Sequence, residues 1–180
     1  MTDEPGVFSQ RWSGGDRVDP ACLGDERTML SQYLDYQRST FELKCAGVAP
    51  GQLSALTVPP STLSLHGLLR HLSGVERWWF RIQFAGEQVP ELYYSDDDPD
   101  QDFDSLDGDA GEALEVWRRE CARSREIARA AESMDSTGTR RLTGEPFSLR
   151  WVMLRLVAEY ARHNGHADLL RQRIDGRTGE

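Results

Sequence analysis

The stretch Ser148–Ile174, SLRWVMLRLVAEYARHNGHADLLRQRI, decides the fold. Leu149, Val152, Met153, Leu156, Tyr160, Ala167, Leu170 and Ile174 recur at steps of three and four, the period of one helical face. Ser148 is placed to cap the start of this helix, and Asp175-Gly176 to end it. Glu159, His163 and His166 stand at i, i+4 and i+7, one continuous stripe along the same helix. His163 interrupts the apolar seam between Tyr160 and Ala167.

Three further amphipathic segments precede it. Asp25 caps a first helix that runs to about Ala46, with Leu30, Tyr33, Leu34, Gln37, Phe41 and Lys44 on one face and Gly47 and Pro50 beyond its end. A second opens at Ser61 or Ser64 after two prolines, carries Leu65, Leu68, Leu72, Val75, Trp79 and Ile82, and closes at Gly86. A third spans about Ala110–Ser133, with Ala113, Trp117, Cys121, Ser124, Ala128 and Ala131 as its inner seam. Between the second and third lies a long acidic connection, Glu87–Asp109, whose spacing does not match an EF-hand loop and which reads as a solvated crossover. The segment STGTRRLTGEPF reads as a loop, and alternating strand patterns are absent. The expected fold is all-α: a four-helix bundle over 23–180 with a long crossover between helices two and three, preceded by an N-terminal arm, 1–22.

Composition narrows the function. Of 180 residues, 30 are Asp or Glu against 21 Lys or Arg, a net charge of -9, which lacks the basic footprint of a nucleic-acid binder. No apolar run approaches the roughly 18 residues of a bilayer span, and MTDEPGVFSQRW lacks the layout of a signal peptide. Cys22, Cys45 and Cys121 are widely spaced and form no CxxC pair, so neither a disulfide framework nor a zinc knuckle is indicated. These features predict a soluble cytoplasmic protein with no membrane and no nucleic-acid partner.

The four histidines carry the chemistry. On the second helix His66 and His71 are five apart and diverge by about 140°. His66 shares a polar side with Arg70, Ser73 and Arg77, whereas His71 sits between Leu68 and Val75 on the core side. Helices of this length bring His71 near His163 inside the bundle. A buried imidazole needs a partner. Two readings satisfy that need: hydrogen bonds to neighbouring helices and to Glu159, or a metal ion, for which imidazole with carboxylate suits zinc, iron or nickel. Trp78 and Trp79 are adjacent and diverge by about 100°, which sends one to the core and the other to a surface.

Beyond this, LHGLLRHLSGVERWWF followed by EYARHNGHADLLRQRIDGRTGE resembles the DinB-like superfamily of metal-binding four-helix proteins. The nearest match is its subfamily marked by RHxGHxD and a final IDG. ERTMLSQYLDYQRSTFE and VPPSTLSLHGLLRHL resemble that subfamily's first helix and its lead into the second. The resemblance implies a divalent metal, zinc first with nickel or iron as alternatives, held by one His of helix two and two residues of helix four. His71 and His163 match ligand positions. Related mycothiol-dependent maleylpyruvate isomerases use Glu-x3-His, which maps onto Glu159 and His163. The His-x3-His spacing of other members is broken here by Arg162 and Ala167, so the third ligand falls to His166, taken first, or Glu159.

The implied activity is a metal-dependent transferase or isomerase that uses a low-molecular-weight thiol such as mycothiol, the metal activating it as thiolate. Arg162, Asp168 and Arg171 surround the motif and are candidates to hold the small-molecule substrate; an Asp/Arg pair steadying the last helical turns is the plainer reading. Members of the superfamily also pair as homodimers, which would place Trp78 at the contact. The alternative is a non-enzymatic metal- or small-molecule-binding protein of stress response or resistance, since a fold does not certify a chemistry.

Overall fold

Asp25 opens the first helix as its spacing predicts: its carboxylate accepts from the Thr28 N–H, and α1 runs Glu26–Cys45. The computed structural model describes residues 17–95, 97–98, 100–104, 106 and 108–177. Of the arm at 1–22, residues 1–16 lie outside the described residues; the remainder rests on α1, where Ala21 N–H donates to Gln32 Oε1 at 2.8 Å and Arg17 lies over the Tyr36 ring. After a single turn, α2 (Pro50–Leu53), Ser64 caps α3, Leu65–Glu76, by accepting from Gly67 N–H. Asp109 and Ser148 do the same for α5 (Ala110–Ala130) and α6 (Leu149–Asp175). Gly176 ends α6 in the left-handed region at φ 78°, a conformation open to glycine without strain. The four long helices pack as a bundle, and the protein is all-α apart from one small hairpin.

That hairpin corrects the reading of STGTRRLTGEPF as loop. β1 (Thr137–Thr139) pairs antiparallel with β2 (Pro146–Ser148), Gly138 facing Phe147. Three residues per strand are too few for alternation to register. Gly138 lies so close to the end of the second long helix that an added Cβ would stand 2.6 Å from Phe84 Cα.

Two further departures shape the site. First, the second helix changes winding at Glu76, and Arg77–Phe84 is π-helical, with Ala85 N–H donating five residues back to Phe80 O at 2.9 Å. The core seam therefore passes from Leu72 to Phe80, while Val75, Trp79 and Ile82 are only half-buried. Second, the acidic connection is not simply solvated. It carries a short helix, α4 (Gln101–Asp104), and lies against α3. Arg70 donates to Gln101 O at 2.9 Å and stacks on Tyr93, and Arg77 donates to Pro90 O at 3.0 Å. Gly67 and Gly74 make room for it: an added Cβ would sit 3.0 Å from Phe103 and from Leu92 O respectively. The face of α3 that includes His66, Arg70 and Ser73 is consequently buried rather than exposed. His66 hydrogen-bonds with Ser54 Oγ at 2.9 Å.

At the centre lies a buried ion pair. Arg38 of α1 donates from Nε and Nη2 to the two oxygens of Glu76, each at 2.7 Å. Tyr160 of α6 donates to the same carboxylate at 2.8 Å, and the Cys121 thiol of α5 lies 3.6 Å from it. Burial pushes the Glu76 carboxyl up, but the Arg38 charge outweighs it and holds the group below its usual range. Removing one member strands the other's charge in the core, so Glu76→Ala is expected to destabilise the fold by about 3–5 kcal/mol in urea unfolding, and the double variant Arg38→Met/Glu76→Leu by much less.

Candidate metal centre

Two elements bring the site together. α3 presents His71 at the point where Gly67 and Gly74 admit the crossover, and α6 presents Glu159 and His163 one turn apart. Tyr160, fully buried and bonded to Glu76, sets the rotation of α6, so its neighbour Glu159 turns towards α3. Glu159 Oε1 then lies 3.3 Å from His71 Nε2 and 3.2 Å from His163 Nε2, and the two imidazole centroids are 4.7 Å apart. Among the described residues these three form a group able to hold a metal ion, each offering one ligand atom, all within 4.8 Å of one another.

The donor set fits a divalent ion. Tetrahedral coordination at about 2.0–2.1 Å requires ligand atoms about 3.3 Å apart, which the two measured separations match. Two imidazoles and a carboxylate suit zinc, nickel or iron(II). His166, the fourth residue expected near the ion, meets the group only through His163, with the two Nδ1 atoms 3.3 Å apart. The structure thus brings His71, Glu159 and His163 together and leaves His166 behind them.

A residue that sequence reasoning missed completes the arrangement. His71 Nδ1 donates to Asp102 Oδ2 of α4 at 2.7 Å, and Phe103 stacks on the His71 ring at 5.2 Å. Asp102 is 8% exposed although it comes from the acidic crossover. A carboxylate on one ring nitrogen fixes which nitrogen is free to bind, here Nε2, towards Glu159. The available signal was Phe103, a large aromatic within a run of aspartates, which marks a point where the crossover docks.

Two carboxylates around one imidazole make the site hungry for positive charge. Burial pulls the His71 imidazolium down, but hydrogen bonds to Asp102 and then Glu159 overcome it and push the group up to about 9. Hydrogen bonds from His163 and His71 hold Glu159 well below the usual carboxylate range. His166 moves the other way, lowered by burial and by the neighbouring positive charges of His163 and Arg162.

Next to His71 opens a cavity of about 460 Å³, between the π-helical segment, the crossover and the hairpin loop. It is this cavity, rather than a smaller one of about 70 Å³ between α1 and α5, that adjoins the candidate ligands. Both Trp78 and Trp79 line it, each half-buried, and of the two Trp79 packs against the core.

The model of the mycothiol S-transferase family matches residues 29–176. The chain belongs to the mycothiol S-transferase family. Curated proteins yield no match. The family match runs from the first turn of α1 to the end of α6 and takes in both sides of the His/Glu/His group of this mycothiol S-transferase family member. No helix among the described residues is long and apolar enough to cross a membrane.

The three residues considered for substrate lie elsewhere. Asp168 pairs with the buried Lys44 at 2.5 Å, and Arg171, fully buried, donates to Lys44 O and Ala46 O at 2.8 Å each and to Asp175. Both tie the end of α1 to α6, and neither lines the cavity; Arg162 is exposed.

The raised His71 value has a measurable consequence in chelator-treated protein. Because it lies above the ordinary 6.5, protonated His71 stabilises the metal-free fold fully below that value and loses its contribution as pH rises through about 9. NMR titration of the His71 ring should centre near 9, and Asp102→Asn should move it down towards 6.5.

Proposed function

We propose that this chain is a divalent-metal-dependent transferase that joins the sulfur of mycothiol to an electrophilic carbon of a small molecule. The observation that carries the reading is the convergence of His71 Nε2, Glu159 Oε1 and His163 Nε2 beside a cavity large enough for a substrate. The family match supports mycothiol as the thiol. In this reading His71, Glu159 and His163 hold the ion, zinc in the first instance, and His166 serves as a neighbour of His163 rather than as a ligand.

A divalent ion bound there supplies positive charge that lowers the pKa of a thiol sulfur. The protein's own groups do the rest. Asp102 keeps the proton of His71 on Nδ1 and orients the ring. The cavity walls exclude water around the electrophile. In the transfer a sulfur–carbon bond forms, the bond to the leaving group breaks with its electron pair, and the thiol proton passes to water. Mycothiol supplies the nucleophile in this reading: no cysteine lines the cavity, and Cys45 and Cys121 are buried, which pushes the Cys45 thiol up to about 12 and raises Cys121 above its usual value.

Metal content and transfer test the two halves of this reading. Protein prepared without chelator should hold about one equivalent of metal by plasma mass spectrometry. His71→Ala, Glu159→Ala and His163→Ala should each lose it, with helical circular dichroism preserved, while His166→Ala keeps it. Asp102→Ala should weaken zinc affinity by roughly 10–100-fold in competition with a chromophoric chelator. Thiol conjugation by the loaded protein should fall at least 100-fold in His71→Ala. Wild-type protein that binds no added metal would refute the proposal, and metal binding without turnover would leave a binding protein instead.

A further inference from the structure

The cavity beside His71 has a chemical character that the metal-ligand group does not use. Its apolar wall is built by Val75, Trp78 and Ile82 from the second helix, Leu92 and Phe103 from the crossover, and Leu142 from the hairpin loop. Both tryptophans of the π-helical segment, Trp78 and Trp79, line this side. Trp79 is held by edge contacts to Phe147 and Trp151, at 5.8 and 5.1 Å, and by Arg155 over its ring. Trp78 lines the cavity with no ring partner among the described residues.

Most charged groups of the wall are engaged, apart from the exposed Asp100 and two buried atoms, Arg77 Nε and Asp102 Oδ1, that have no hydrogen-bond partner among the described residues. Arg77 donates to Glu120 at 2.6 Å and to Pro90 O, Arg141 pairs with Glu91 at 3.1 Å, and Asp102 holds His71. A ligand entering here gains mainly ring faces and aliphatic contact, with unpaired polar partners in the minority. A hydroxyl-rich thiol would lose its hydrogen bonds to water without replacement. A flat apolar molecule loses little and gains stacking. The volume of about 460 Å³ suits a compact small molecule and not a larger polar conjugate in full.

We propose that this cavity is the subsite of the electrophile and that its preferred occupant is a compact aromatic electrophile, stacked on Trp78 with its reactive carbon towards His71. The inference rests on the transferase reading above and narrows it to a substrate class. The thiol sulfur bonds to the activated carbon, a halide or comparable group departs with the bonding electrons, and the thiol proton goes to water. The thiol's polar part lies outside the cavity.

The test separates the cavity from the reaction. In the first arm, calorimetry follows 1,3-dinitrobenzene, a flat unreactive stand-in, with no thiol present. Saturable one-to-one binding is expected, weakened at least tenfold in Trp78→Ala and in Leu142→Asp, the latter at an exposed rim position where folding is not at stake. Inositol, a polyhydroxyl probe, should not compete. In the second arm, zinc-loaded protein and mycothiol are given 1-chloro-2,4-dinitrobenzene or iodoacetamide. The aromatic acceptor should be favoured in kcat/KM, and Trp78→Ala should reduce that preference at least tenfold, through KM. Absence of dinitrobenzene binding, binding unchanged in both variants, or competition by inositol overturns the cavity assignment, even if transfer to iodoacetamide proceeds. Aromatic binding intact but no transfer to either acceptor overturns the transferase reading on which the substrate claim depends.

Discussion

The carboxylate of Glu76 receives a contact from each of the other three long helices: Arg38 from α1, Cys121 from α5 and Tyr160 from α6. Trp117 of α5 extends the network by donating to the Tyr160 hydroxyl at 2.8 Å. An ion pair so deep is a poor source of net stability, because desolvation offsets most of its attraction. Its consequence is specificity of register. Two nitrogens of Arg38 must face two oxygens of Glu76, and Tyr160 must reach one of them. Sliding α6 by a turn would leave the Tyr160 phenol without its acceptor and take one donor from the buried Glu76 carboxylate. The same register carries Glu159 and His163, which flank Tyr160, onto His71, so the metal-ligand group depends on a polar knot in the core.

A second constraint follows from glycine. Gly67 and Gly74 lie on either side of His71 on α3 and let the crossover backbone and Phe103 approach where a side chain would force it away. That approach carries Asp102 to His71 and closes one wall of the cavity. Beyond Glu76 the change to π-helical winding supplies another wall, and Gly138 lets the hairpin supply the rim. The acidic crossover thus gives an inward carboxylate, Asp102, to the site, while Asp97, Asp100, Asp104 and Asp109 are exposed.

Much of this was legible in the chain itself, for local reasons. Asp25 and Ser148 cap the helices that their spacing announces, as does Ser64 of the pair Ser61 and Ser64, because a cap is a bond between residues two or three apart. The seam of α6 emerged with Leu149, Val152, Met153, Leu156, Tyr160 and Ala167 all buried, since its winding is regular throughout. The second helix was misread past Glu76 because an extrapolated period of 3.6 does not survive a π-helical turn. His71 and His163 stood out as polar residues on apolar seams, a pattern that periodicity detects.

The sequence alone determined where the four long helices start, and that His71 and His163 face inward with Glu159 and His166 at ligand spacing beside His163. Those are properties of hydrogen bonding and apolar period within a few residues. Only the tertiary structure decided between Glu159 and His166 as the neighbour of both His71 and His163. On α6 both lie within one turn of His163, and the choice depends on the angle at which α3 crosses, which the buried bonds to Glu76 set. Asp102 belongs to the same class: 31 residues from His71 in the chain, it reaches the ring only because two glycines let the crossover lie down on α3.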